Sequence, residues 1–127
     1  MTYRKKPIRS LFKKVFCFYK ILYKYITSIS FLTISTSSII LILINSYLFY
    51  TVELDMNPKV ESFFDCFYWA VTTTTTVGYG DISPVTTTGK IIGMFAMVSG
   101  GLLFAIFTGL FAQSLFQDEE INELFKK

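Results

Sequence analysis

The sequence predicts an all-α membrane protein. It has two transmembrane helices, a re-entrant half-helix and loop between them, and an amphipathic interfacial helix ahead of the first span. Three observations lead there. No charged residue lies between Ile26 and Val52, or between Ile91 and Gln117, and each stretch is long enough to cross a bilayer. Between them, residues 62–74 suit a helix of roughly 20 Å, too short to span, followed by the breakers Gly78, Gly80 and Pro84. Finally, 127 residues that are 52% apolar and 18% aromatic hold more apolar surface than a soluble domain of this size buries around one core.

The N-terminal segment, residues 1–25, carries most of the positive charge. Eight of the twelve basic residues fall there (Arg4, Lys5, Lys6, Arg9, Lys13, Lys14, Lys20 and Lys24), and no acidic residue precedes Glu53. A basic end of this kind suits nucleic acid or an anionic membrane surface, and the long apolar run that follows favours the membrane over nucleic acid. Ile8, Leu11, Phe12, Val15, Tyr19, Leu22 and Ile26 recur at helical spacing, with Arg9, Lys13, Lys20 and Lys24 on a separate face. One apolar and one basic face suit a helix lying in the interface, its lysines near anionic lipid headgroups at roughly 1 kcal/mol each. A signal peptide is not expected, because the apolar stretch is too long and no small-residue cleavage site follows.

The outer helix is expected over 26–52. Its first half is rich in Ser and Thr, whose hydroxyls can bond back to the preceding turn, and Tyr47 and Tyr50 suit an interfacial aromatic belt. Residues 53–61 form a polar loop with an Asn57-Pro58 turn signal, and Glu53, Asp55 and Glu61 are expected to add negative field at its surface. Ser62 is placed as the N-cap of the half-helix, with Asp65 at its positive end. The second span is expected over 88–117, and residues 118–127 form a short tail. The positive-inside rule puts the basic N-terminus in the cytoplasm, and two crossings return the C-terminus there, for a multi-pass protein of the cell membrane. Cys17 and Cys66 then lie near opposite surfaces and do not pair.

Re-entrant backbone at membrane depth is tolerated only where protein buries it or where it lines a water-filled cavity, which already points to a pore. The run Thr74-Thr75-Thr76-Val77-Gly78-Tyr79-Gly80-Asp81 resembles the potassium channel signature, and the likeness extends through Trp69, Pro84-Val85-Thr86, Gly89 and the Gly100-Gly101 pair. The chain is thus similar to pore-only, two-transmembrane potassium channels of bacterial and minimal viral type. The resemblance implies a pore helix (62–74), a selectivity-filter loop (75–81) and an inner helix, assembling as a homotetramer that passes K⁺ passively. No cofactor is expected beyond the permeant ion. The ion would be held by the Thr76 hydroxyl and the carbonyls of Thr76, Val77, Gly78 and Tyr79, which replace its hydration water. Gly80 completes this ion-binding set. Successive carbonyls face one way only if the backbone alternates in handedness, and Gly78 and Gly80 reach φ > 0 without a Cβ penalty.

By the same resemblance, Trp69 and Tyr79 form an aromatic cuff, Asp81 bonds back behind the filter, and Thr72 supports it. Some bacterial relatives carry a carboxyl where this chain has Thr72, so no carboxyl pair is expected. Phe104, Thr108, Ala112 and Phe116 fall at four-residue steps and line the inner pore, with Ala112 or Phe116 as the constriction. Gly100 and Gly101 match the family hinge, though paired glycines also allow close packing against the half-helix. A poorly selective cation channel is the nearest alternative, and Tyr79 argues against it. A non-conducting partner subunit or a membrane-lytic protein would not need an intact filter. An enzyme is not expected: the chain has no His, and no nucleophile sits near a plausible base. No helix carries Arg at every third position, so a voltage sensor of that kind is absent from the sequence.

Overall fold

The structure, a computed structural model, describes residues 6–117. Residues 1–5 and the expected tail 118–127 lie outside the described residues. Four helices make up the described chain: α1 (Lys6–Ile26), α2 (Ile29–Glu53), α3 (Phe63–Thr74) and α4 (Thr87–Gln117). Two of them, α2 and α4, are long and apolar enough to cross a membrane. The outer span starts at Ile29, not Ile26, because the chain breaks at Thr27-Ser28. There the Ser28 hydroxyl accepts the Phe31 N–H at 3.2 Å, as an N-cap does, and donates to the Tyr25 carbonyl at 2.7 Å. The same span runs one residue further than expected, through Glu53.

The described residues divide into two compact units, residues 6–32 with 107–117, and residues 33–106. In the first unit, the buried line of α1 is Cys17, Ile21 and Tyr25, at four-residue steps. The apolar stripe read from the sequence is a different face: Phe12, Val15, Tyr19 and Ile26 are exposed. Periodicity alone finds apolar residues but does not say which of them meets protein. Tyr25 anchors this unit. Its hydroxyl donates to the Phe107 carbonyl at 2.9 Å, and its ring meets Phe31, Phe107 and Phe111 edge-on at 5.1–5.9 Å.

The second unit is built around the short helix α3. Its core is Phe49, Val60, Cys66, Trp69, Ala70 and Ala96, with Ile42, Tyr50, Leu54, Ile82 and Ile92 packed around it. Phe49 and Trp69 stack with ring centroids 3.6 Å apart. Small residues let the helices approach closely, as expected where lipid supplies no hydrophobic drive and packing must hold helices together. At Gly100 a Cβ would sit 2.7 Å from the Thr74 Cα, so only glycine fits against the end of α3. Hydroxyls within α2 bond back as the sequence suggests: Ser38 to the Ile34 carbonyl at 2.8 Å and Ser46 to Ile42 at 2.6 Å.

Candidate functional site

The site is the loop from Thr75 to Asp81, and α3 aims it. Ser62 caps α3 in a capping box: its side chain accepts the Asp65 N–H, and the Asp65 carboxylate accepts the Ser62 N–H at 2.8 Å. These bonds, the Ser62 hydroxyl first among them, hold the Asp65 carboxyl below the usual aspartate range. A dry apolar setting pushes the Cys66 thiol behind it up to about 11, which keeps it inert.

At its other end α3 runs directly into the loop. Thr75 keeps near-helical backbone, and Thr76 then turns left-handed at φ 65°. That position normally takes glycine, since a β-branched residue there is strained by about 1–2 kcal/mol. Thr76 is therefore both the stop of the helix and the first residue of the loop. Left-handed backbone recurs at every second residue, with φ 52° at Gly78 and 78° at Gly80, while Val77 and Tyr79 between them are right-handed or extended. Alternation of this kind turns successive carbonyls to the same side. The sequence pointed to the two glycines but not to Thr76.

Several hydrogen bonds fix the loop from behind. The Gly78 N–H donates to the Thr72 carbonyl, an orphan of the last turn of α3, at 3.0 Å. Thr72 thus supports the loop through its backbone, while its hydroxyl is turned to the Trp69 carbonyl at 3.0 Å. The Tyr68 hydroxyl donates to the Asp81 carboxylate at 2.8 Å, and the Tyr68 and Tyr79 rings stack with an interplanar angle of 5°. That bond holds the Asp81 carboxyl below its ordinary value and pushes the Tyr68 phenol up. The Lys59 ammonium donates to the Asp81 main-chain carbonyl at 2.6 Å. Within the chain, Trp69 stacks on Phe49 and Tyr79 on Tyr68, and not on each other.

Glu53 overturns its expected role. It is not a charge at the surface of a loop but a fully buried carboxylate closing the last turn of α2. One oxygen accepts the Thr86 N–H at 2.9 Å and the Thr86 hydroxyl at 2.6 Å; the other accepts the Val85 N–H at 2.9 Å and the Asn57 amide at 2.8 Å. Asn57 also donates to the Ser83 carbonyl at 2.9 Å and accepts the Lys59 N–H at 3.1 Å. Glu53 and Asn57 thus pin the segment that leaves the loop and enters α4. Gly89 is part of this cage, since any Cβ there would collide with the Glu53 carboxylate. Neither Tyr68, Asn57 nor the buried role of Glu53 was legible as site chemistry: their partners lie 13 to 33 residues away along the chain.

The remaining expected site residues lie on α4. Phe104 and Thr108 are exposed and Ala112 is half-buried on the same helical line, while the side chain of Phe116 lies outside what the structure describes. Gly100 packs on Thr74, whereas Gly101 faces open space, and α4 is helical without interruption from Thr87 to Gln117. On the loop, Val77 is 54% exposed and Tyr79 71%, leaving apolar surface uncovered.

Comparison with known proteins adds a family. Residues 37–117 match a family described as ion channels. Among curated relatives, the chain is 39% identical over 83 residues to a voltage-gated potassium channel of Aeropyrum pernix, covering 65% of this chain and 28% of that protein. It is 44% identical over 70 residues to a hyperpolarization-activated voltage-gated potassium channel of Methanocaldococcus jannaschii, covering 55% of this chain and 32% of that one. A calcium-gated potassium channel of Thermoplasma volcanium is 36% identical over 80 residues, covering 62% of this chain and 23% of that one. The chain spans less than a third of the length of each of these relatives.

Proposed function

The chain belongs to the ion channel family that it matches over residues 37–117, and on that premise we propose that it is a subunit of a K⁺-selective channel. One observation carries the reading: the backbone alternates in handedness at Thr76, Gly78 and Gly80, in a loop braced from behind through Thr72, Tyr68 and Asp81. K⁺ gives up its water only to a comparable set of oxygens. Carbonyls of Thr76, Val77, Gly78 and Tyr79, with the Thr76 hydroxyl, supply one side of such a set. A single chain cannot surround an ion. The uncovered Val77 and Tyr79 support a homotetramer in which four loops ring one axis. In that assembly Phe104, Thr108, Ala112 and Phe116 line the inner pore. Four α3 C-termini aim their partial negative charge at the cavity between them, stabilising a cation where the dielectric is low. The exposed apolar stripe of α1, beside Lys20 and Lys24, supports a position in the membrane interface with both termini cytoplasmic.

The test is reconstitution of the purified chain into liposomes under opposed K⁺ and Na⁺ gradients. The reversal potential is expected to follow the K⁺ gradient. A potential that ignores it rejects the assignment and leaves the poorly selective cation channel in its place.

A further inference from the structure

Asp81 ends the loop, and it is held from outside at two points. Its carboxylate accepts the Tyr68 hydroxyl of α3 at 2.8 Å, and its main-chain carbonyl accepts the Lys59 ammonium at 2.6 Å. A surface lysine ordinarily keeps its ammonium in water, because a flexible four-carbon stem gains little from one fixed pose. Lys59 differs in the backbone beneath it. Pro58 restricts the turn. The buried Asn57 accepts the Lys59 N–H with its side chain at 3.1 Å and the Val60 N–H with its carbonyl at 3.0 Å. Asn57 is itself tied to Glu53 and to the Ser83 carbonyl, and Val60 is seated in the core with Phe49, Cys66 and Trp69. Trp69 adjoins Tyr68, so both donors to Asp81 are anchored to one core. Only the stem of Lys59 remains to be ordered when its ammonium reaches Asp81.

We propose that Lys59 is a positioning residue for conduction: its ammonium clamps the main chain of Asp81, while Tyr68 clamps the side chain, and together they fix where the row of ion-binding oxygens ends. The inference rests on the K⁺ reading of the loop given above. The last left-handed residue is Gly80, which has no Cβ to limit its rotation. The peptide beyond it therefore needs a hold from elsewhere. Tyr68 reaches Asp81 through a rotatable side chain, whereas Lys59 acts on the backbone itself. An oxygen held by a fixed ammonium is not offered to a moving ion, so the same bond keeps the Asp81 carbonyl out of the set formed by Thr76 to Tyr79.

Removal of the ammonium leaves the Tyr68 bond in place but frees the Asp81 peptide to turn. Gly80 passes that freedom to the Tyr79 carbonyl, the outermost oxygen of the set. The inner end of the loop keeps its own hold, because the Gly78 N–H stays on the Thr72 carbonyl. The loss is therefore partial: discrimination and endurance of conduction fall, and the fold stands.

The experiment records the full chain in planar bilayers and compares Lys59→Met, which keeps the stem without a donor, with Lys59→Arg, which keeps a cationic donor. Lys59→Met is expected to lower the K⁺/Na⁺ permeability ratio about threefold and to speed the decay of sustained current about threefold, the scale of one exposed charge-assisted bond. Lys59→Arg should bring both back to within about twofold of the parent. Lys90→Met, which removes a cation from the start of α4, should change each by less than about twofold. Unfolding in detergent should leave all three variants close to the parent, a readout that a purely structural lysine would move. Parent values of both ratio and decay in Lys59→Met overturn the proposal. An equal effect of Lys90→Met also overturns it, since surface charge and not the bond would then be the cause, and so does a Lys59→Arg protein as impaired as Lys59→Met. The reversal potential of the parent tests the K⁺ reading separately: a selective parent matched by its Lys59→Met variant sinks this inference alone.

Discussion

Glu53 offers the sharpest test of the architecture, because its two oxygens accept four hydrogen bonds in a site with no exposure. Glu53→Gln keeps the shape and replaces one acceptor with a donor. Suppose the new amide NH₂ faces Val85 and Asn57. Two donors are then opposed, and Asn57 cannot turn without losing Ser83 and the Lys59 N–H. Suppose instead that it faces Thr86. The hydroxyl there can rotate to accept, and only the Thr86 N–H is stranded. The second arrangement is the cheaper one. A buried donor left unpaired costs about 1–3 kcal/mol. The surviving bonds also lose the charge that makes them roughly twice as strong as neutral ones. Glu53→Gln should therefore destabilise the fold by about 2–4 kcal/mol. Glu53→Ala strands all four donors and should cost more than about 4 kcal/mol. The assay is denaturant unfolding in detergent followed by fluorescence of Trp69, the only tryptophan, which stacks on Phe49 four residues before Glu53. A Glu53→Gln protein within about 0.5 kcal/mol of the parent would refute the reasoning, since it would mean that the group already carries a proton or that the cage does not form.

Gly100→Ala drives a Cβ into the Thr74 backbone and should destabilise by about 1–3 kcal/mol, while Gly101→Ala meets nothing within 4 Å and should be neutral or stabilising by up to about 1 kcal/mol; unfolding of the two variants side by side checks this, and single-channel recording of Gly101→Ala shows whether flexibility there matters to opening. Tyr68→Phe removes the side-chain hydroxyl bonded to Asp81, so conduction under sustained current should decay severalfold faster than in the parent, as measured in planar bilayers. The Asp81 carboxyl has its folded pKa below the unfolded value, so its contribution is complete above about pH 4 and is lost as pH falls through the folded value. Tyr68 is shifted upward, so its contribution is complete below about pH 10 and is lost at higher pH. Between those limits the pair should be silent, and a titration of conduction from the loop side near pH 6–7 would contradict the Tyr68–Asp81 bond.

What could be read early and what could not differ in kind. Ser62 and Asp65 lie three apart just before an aromatic run, so the start of α3 was visible, although the reciprocal geometry of the box was not. Gly78 and Gly80 announce positive φ because no Cβ opposes it, whereas Thr76 hides the same conformation behind a side chain that disfavours it. An acidic residue between a span and a turn reads as solvated, and only its distant donors turn Glu53 into a buried anchor. On α1, helical spacing located one apolar face, whose Phe12, Val15, Tyr19 and Ile26 are exposed, and missed the line of Cys17, Ile21 and Tyr25 that is buried. Contact with Phe31, Phe107 and Phe111 selects the face that carries Tyr25.

By itself the sequence determined the two spans, the half-helix, its capped start and the loop with alternating glycines. Each of these depends on residues within about one or two turns of one another, where hydropathy, capping and the absence of a Cβ act directly. The tertiary structure alone decided which carbonyl receives the Gly78 N–H, which carboxylate is buried, and which helices stand close enough to require Gly100. The Gly78 to Thr72 bond spans only 6 residues, but the Gly100 to Thr74 approach and the Thr86 to Glu53 bond bring together groups 26 and 33 residues apart once α2, α3 and α4 pack, and local propensity carries no record of such meetings.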